Sequence, residues 1–216
     1  VQEDALRMLR FCRFSIEYSN GHYDSEAVRA LTSCATLATR LSGERVSHEI
    51  RNILSHERCA PAINLLHQTG LDKASLGCDL AVTVMPANPQ ELDLVTADFG
   101  WLVLLAAIIP QADATMVLAR LRLIRADRKF CAQLAASDPP RIFADLSAFN
   151  WRQSAFFMDG RAAAYYACAA WRLGAELDKQ HYRVLQEWQP PKLPVSGADL
   201  LSHGVDNGPA MGQMLS

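Results

Sequence analysis

Residues 3–16 read EDALRMLRFCRFSI, and this stretch decides the fold class. Apolar side chains recur in it at three- and four-residue steps, with charged side chains between them: Ala5, Leu6, Leu9, Cys12 and Ile16. That period is the period of an α-helix that buries one face. The pattern ends at the turn pair Asn20-Gly21, so the stretch predicts an amphipathic first helix.

The helical pattern continues along the chain, and the alternation typical of strands is almost absent. Helix start and stop signals predict helices over about 25–41 (capped by Asp24 or Ser25), 43–55 (capped by Ser42), 60–68 (ended by Gly70) and 72–76. Further helices are predicted over about 90–109, 112–121, 122–136, 141–148, 161–188, 197–203 and 208–215. The predicted fold class is therefore all-α.

Two proline-bearing stretches interrupt this series of helices. Residues 85–90 contain Pro86 and Pro89 and predict a boundary between structural units. Residues 189–194 read QPPKLP and predict an extended, polyproline-like hinge. The sequence begins with Val1 rather than Met and enters helical periodicity within a few residues. We therefore expect it to be part of a longer protein.

Composition bounds the function without naming it. The 216 residues are 50% hydrophobic and 20% charged, with a net charge of −2. These values fit a globular chain with a sizeable core, and they carry no overall basic signature for nucleic acid. Any RNA binding must therefore come from local patches. The longest apolar run, residues 99–109, is shorter than the roughly 20 residues that a membrane span needs, so we expect no membrane segment.

Six cysteines are spread along the chain, and none of them form a Cys-x-x-Cys pair. That distribution favours reduced, buried thiols over a disulfide framework or a zinc site. It leads us to expect a cytoplasmic protein. The sequence also lacks a His-Glu-x-x-His metal site, and no metal ligands are predicted in this chain.

The first helix opens with Glu3-Asp4 and continues with Arg7 and Arg10. Asp4 and Arg7 lie three residues apart, on neighbouring ridges of a helix. An acceptor beside a donor matches the amino group and ring nitrogen of cytosine and adenine, and it opposes the reversed order on guanine and uracil. The alternative is that these charges form ordinary salt bridges on a helix surface. Both interpretations stay open on the residues alone.

Two other features offer contacts for phosphates. Arg122, Arg125 and Lys129 follow helical spacing in the most basic part of the sequence and predict one phosphate-facing stripe. A solvated helix face explains the same pattern. Gly208 begins a predicted short helix, where exposed amide groups can hold a phosphate. Close packing between helices is the alternative use of a glycine there.

Three ordered segments carry a resemblance to a known family. They are residues 3–14 (EDALRMLRFCRF), residues 41–50 (LSGERVSHEI) and residues 194–215 (PVSGADLLSHGVDNGPAMGQML). Together they resemble the motifs of class II CCA-adding tRNA nucleotidyltransferases and bacterial poly(A) polymerases. The resemblance reaches both ends of the chain, whereas residues 79–189 contribute little beyond a helical pattern.

The resemblance implies roles for particular residues. Asp4 and Arg7 would template the incoming CTP or ATP, with Glu3 orienting the arginine and Arg10 beside them. Arg45 and Glu49 would support that helix, and their opposite charges at i, i+4 agree with a supporting pair. Phe11 and Phe14 are interpreted as core or bracing residues rather than as platforms for base stacking.

The resemblance also implies an organisation: a neck over about 1–77, a helical body over 78–189 and the start of a tail over 190–216. The whole enzyme would add CCA to tRNA 3′ ends, with Mg²⁺ held by a catalytic head domain upstream of Val1. This chain contains no Asp-x-Asp pair, so no catalytic residue is predicted in it. The expected partners are tRNA, CTP and ATP, and a homo-oligomer is left open. The alternatives are a poly(A) polymerase of the same superfamily and a non-catalytic helical RNA-binding module.

Overall fold

The computed structural model of the protein describes residues 2–19, 22–85, 91, 94–95, 100–136, 161–189, 196–204, 206 and 208. Five helices form its N-terminal part: α1 (Gln2–Tyr18), α2 (Ser25–Cys34), α3 (Gly43–Leu54), α4 (Ala60–Thr69) and α5 (Leu71–Leu76). Six follow: α6 (Gly100–Ile108), α7 (Ala114–Arg120), α8 (Arg125–Ala136), α9 (Ala162–Arg172), α10 (Lys179–Glu187) and α11 (Gly197–Ser202). The described residues contain no strand, which confirms the predicted all-α class.

Helix α1 lies at the centre of the N-terminal part and packs against α3 and α4. Its predicted apolar face is buried, with Leu9, Cys12 and Ile16 fully inaccessible to solvent. The predicted second helix is shorter than expected, because a 3₁₀-helix (Ala35–Arg40) replaces its last turns. The Asp24 carboxylate caps α2 by accepting the backbone N–H of Glu26.

Helix α6 occupies the core of the second part and contacts α8, α9 and α3. Every one of its nine residues is buried, as the apolar run predicts. The Arg172 guanidinium joins the last turns of two neighbouring helices, donating 2.6 Å to the carbonyl of Ala106 and 2.8 Å to that of Ala135. These carbonyls lack partners within their own helices, so the arginine satisfies both.

The prediction of one long helix over residues 161–188 is wrong. Gly174 adopts a left-handed conformation with φ 64°, which ends α9 after Arg172. The Asp178 carboxylate then accepts the backbone N–H groups of Gln180 and His181 and starts α10. The apolar periodicity continues across this break. For that reason the sequence pattern predicts one helix where the structure has two.

The two parts meet where the end of α7 contacts the start of α3. The Arg120 guanidinium donates 2.6 Å to the carbonyl of Leu41 and 3.3 Å to that of Ser75. The Arg120 carbonyl in turn presses on Gly43, where a methyl group would overlap its oxygen. Ser42 occupies the predicted N-cap position of α3, although no capping hydrogen bond from its side chain is described. The junction therefore depends on a residue without a Cβ.

Five of the six cysteines are buried, and Cys34 is exposed, so the expectation of buried thiols is wrong at that one position. Burial raises the pKa of Cys12 and of Cys59 to about 12. Such thiols stay protonated at neutral pH and are poor nucleophiles.

Among the described residues, no single helix has the length and apolar composition of a membrane span. Only Gly100–Ile108 and Gln111–Arg120 taken together meet those criteria, and they are bent by 109° relative to each other.

We predict that Gly43→Ala destabilises the protein by about 1–3 kcal/mol, the usual cost of overpacking. The added methyl meets a backbone carbonyl that cannot rotate away, which outweighs the better helix propensity of alanine. Urea denaturation measures the change at constant m value. The control is Gly208→Ala, since nothing lies within 4 Å of the added carbon there. Equal stability of the two variants would contradict the close approach.

Candidate functional site

A cavity of about 410 Å³ opens between α1 and α3, and we call it the α1–α3 cavity. Its lining side chains come from both helices: Leu6, Arg7, Arg10, Glu44, Arg45, His48 and Glu49. Four of them are residues that the sequence singled out, two from each of the first two segments of resemblance. The structure therefore brings together Arg7, Arg10, Arg45 and Glu49, which are up to 42 positions apart in the sequence.

Glu49 is the electrostatic centre of this cavity and is only 1% exposed. Its two carboxylate oxygens accept the Nε–H groups of Arg10 at 3.1 Å and of Arg13 at 3.0 Å. Both oxygens of Glu49 therefore bind across to α1, and the supporting role of Arg45 and Glu49 stays a prediction. Through these two contacts Glu49 joins α3 to α1.

Arg13 is held from several sides. Its guanidinium also donates 2.8 Å to Glu17 and lies 4.4 Å from the ring centroid of Phe14. Burial alone would lower its pKa, but the hydrogen bonds and charges of Glu17 and Glu49 raise it. Phe11 packs against the core at half burial. Phe14 is itself 41% exposed, and the interpretation of the two phenylalanines as core or bracing residues stays a prediction.

Of Asp4 and Arg7, the two residues predicted to recognise the nucleobase, the structure describes only the side chain of Arg7. The side chains of Glu3 and Asp4 lie outside the described residues, although both positions belong to the first turn of α1. Arg7 is exposed and lines the cavity one helical turn further on. The pairing of Asp4 with Arg7 stays a prediction.

Glu44 and His48 also line the cavity, and the sequence reasoning missed them. A signal was present, since residues 44, 45, 48 and 49 share one side of α3 at helical spacing. The Glu44 carboxylate accepts 2.8 Å from the Arg122 guanidinium. The pKa of Glu44 is lowered mainly by a hydrogen bond from its own backbone N–H. The hydrogen bond from the Arg122 side chain lowers it further. Glu44 is thus ionised at neutral pH.

Arg122 does not extend the basic helix. Its backbone has φ 50°, and α8 begins only at Arg125, so the predicted stripe of Arg122, Arg125 and Lys129 on one helix is wrong. Arg125 and Lys129 remain exposed on α8 at i, i+4 spacing, with Arg128 beside them. The helix predicted from Gly208 lies outside the described residues, apart from Gly208 itself. The RNA contacts of these residues stay predictions.

One group of described side chains has the spacing of metal ligands: His67, Asp72 and Asp79. Asp72 is fully buried and already accepts His67 at 2.8 Å and the backbone N–H groups of Lys73 and Leu80. Asp79 pairs with the Lys73 ammonium at 3.1 Å. This arrangement does not fit Mg²⁺, which requires an octahedral shell of oxygen ligands. It stabilises the loop that follows α5.

Comparisons with known proteins show similarity to RNA-processing enzymes. Residues 23–76 match a protein family described as a probable RNA- and SrmB-binding site of polymerase A. Over its whole length, the chain is 25% identical to proteins named CCA tRNA nucleotidyltransferase 1, mitochondrial, from Mus musculus, Homo sapiens and Danio rerio. It spans about half the length of these relatives. The predicted resemblance to tRNA nucleotidyltransferases is thereby confirmed.

We predict that Glu49→Gln costs about 2 kcal/mol of stability. Removing one partner of a fully buried ion pair costs more stability than this. Here the cost is smaller because Arg10 is half exposed and its charge is partly screened by water. Urea denaturation measures the change. The matched control on the same helix is Glu44→Gln, whose solvent-exposed pair with Arg122 should contribute much less to stability. Equal losses for the two variants would show that Glu49 is not the bracing residue.

Proposed function

We propose that this chain selects the nucleobase and holds the RNA for a tRNA nucleotidyltransferase that adds CCA to tRNA 3′ ends from CTP and ATP. The observation that carries the proposal is the α1–α3 cavity, where Arg7 and Arg10 of the first segment face Arg45 and Glu49 of the second. The relatives that match along the whole chain are named for this activity, which supports the proposal.

The chemistry of the cavity suits a nucleotide. Three guanidinium groups offer planar donors for a base edge or for phosphate oxygens. Glu49 fixes Arg10 through one of its oxygens, so that donor is oriented before a ligand arrives. Pre-orientation lowers the entropy lost on binding. With Asp4 supplying an acceptor beside Arg7, the cavity would favour cytosine and adenine.

The proposal assigns selection and grip to this chain, and bond formation to another part of the enzyme. Nucleotidyl transfer uses two metal-binding carboxylates, and this sequence contains no Asp-x-Asp pair. We propose that a head domain upstream of Val1 supplies those carboxylates and the Mg²⁺ they hold. The same proposal divides this chain into neck, body and tail, with boundaries at about residues 77 and 189. It also places the whole enzyme in the cytoplasm.

A poly(A) polymerase of the same superfamily is the second candidate. The match of residues 23–76 to a polymerase A family favours it. Both activities use an amino-bearing base, so the α1–α3 cavity serves either. Incorporation assays with a full-length protein separate them: a CCA-adding enzyme incorporates CTP as well as ATP and stops, whereas a poly(A) polymerase extends with ATP.

We predict that the chain binds CTP and ATP more tightly than GTP and UTP, and that Asp4→Ala and Arg7→Ala each remove about 1–3 kcal/mol of that preference. This is the scale of a good contact between a side chain and a base edge. Titration calorimetry with all four nucleotides measures it, alongside thermal melts.

The control for the binding experiment is Arg183→Ala, an exposed arginine on α10 outside the cavity. It should leave both affinity and preference unchanged. If either cavity variant weakens all four nucleotides equally, the pair has a general positioning role and base selection fails as a proposal.

We further predict that the chain alone transfers no nucleotide, because positioned groups without catalytic metal cannot stabilise the transition state of phosphoryl transfer. The measurement is incorporation of labelled CTP and ATP into tRNA, with a complete nucleotidyltransferase as the positive control. Incorporation above background by the chain alone would overturn the division of labour.

A further inference from the structure

A second cavity, of about 250 Å³, adjoins the first along the neighbouring face of α3, and we call it the α3–α8 cavity. Arg51 of α3, Trp101 of α6 and Asp127 of α8 line it, together with residues 121–124 of the turn before α8. The two cavities share Glu44 and His48. An occupant of one therefore lies directly beside an occupant of the other.

The walls of the α3–α8 cavity offer what a flat heterocycle needs. The Arg51 guanidinium lies 5.7 Å from the ring centroid of Trp101, which holds the cation against an aromatic surface. Nucleobases stack readily on such guanidinium planes. Ile124, which is 68% exposed, forms an apolar edge at the mouth. Ser47 and Asp127 supply polar atoms for the base edge.

A charged approach leads into this cavity. Exposed Arg125, Arg128 and Lys129 occupy the first turns of α8, next to Ile124 and Asp127 in the cavity wall. Phosphates of a strand lying along these residues would place the end of that strand at the mouth. The ion pair of Arg122 with Glu44 stands at the wall that the two cavities share.

We propose that the α3–α8 cavity holds the base of the 3′-terminal nucleotide of the RNA, beside the incoming nucleotide in the α1–α3 cavity. The inference rests on the proposed function, since adding a nucleotide requires the RNA 3′-hydroxyl to adjoin the α-phosphate of the substrate. Two base-sized sites with a common wall satisfy that requirement. The preceding phosphates lie on α8.

The test uses an RNA hairpin with a single-stranded 3′ end that carries 2-aminopurine as its last nucleotide. A second hairpin carries the same probe in its stem. The chain should change the emission of the terminal probe and leave that of the stem probe unaltered. Arg51→Met should weaken binding of the terminal-probe RNA about tenfold, the scale of one lost stacking contact.

A second variant provides the same test if Arg51→Met fails to fold. Ile124→Glu changes an exposed side chain and places a negative charge at the mouth of the cavity. It should therefore weaken binding of the same RNA by a similar factor. Arg183→Met removes one exposed positive charge from α10 and should leave the terminal probe unaffected. Circular dichroism establishes which variants are folded.

Added CTP should leave the terminal base in place. Displacement of the probe by CTP would put the RNA end in the α1–α3 cavity and overturn the inference. Wild-type affinity of both folded cavity variants would overturn it as well. If the four nucleotides bind alike while Arg51→Met still weakens the terminal probe, base selection fails and the RNA-end site stands. If CTP and ATP bind more tightly than GTP and UTP while Arg51→Met leaves binding of the terminal-probe RNA unchanged, this inference alone is overturned.

Discussion

The carboxylate of Glu49 has been removed from water, and the free energy which that costs must be offset by the two arginines it contacts. Apolar burial between α1 and α3 is non-directional and leaves their relative position loosely defined. The two ion pairs define it, because Arg10 and Arg13 lie one turn apart on α1 and reach the same carboxylate. The register that results places Arg7 opposite Arg45 and thereby forms the α1–α3 cavity.

Helix α3 therefore serves both parts of the molecule. One side of it contributes Arg45 and Glu49 to the α1–α3 cavity, and another contributes Arg51 to the α3–α8 cavity. Its first turn is clamped to the end of α7 by the contact of Gly43 with the Arg120 carbonyl. A displacement of α3 would alter both cavities together, so the proposed nucleotide and RNA sites would be mechanically linked through this helix.

Local chemistry made much of this architecture predictable, and long-range contacts account for what was not. The apolar period of α1, the cap at Asp24 and the left-handed Gly70 are read directly from neighbouring residues. The contacts of Glu49 with Arg10 and Arg13 were not predicted, because contacts between helices leave no trace in local spacing. Arg122 was misplaced for a related reason: arginine seldom adopts positive φ, so no signal in the sequence ends the helix there.

The single exposed thiol has a practical consequence for work with this protein. A chain with one accessible thiol can form one disulfide to another chain, whereas its five buried thiols are shielded from such chemistry. In air without reductant, dissolved oxygen would take two electrons and two protons from a pair of Cys34 thiols, joining two chains by one disulfide and no more. A band of doubled mass on a non-reducing gel would report oxidation during handling rather than the assembly state of the protein in the cell.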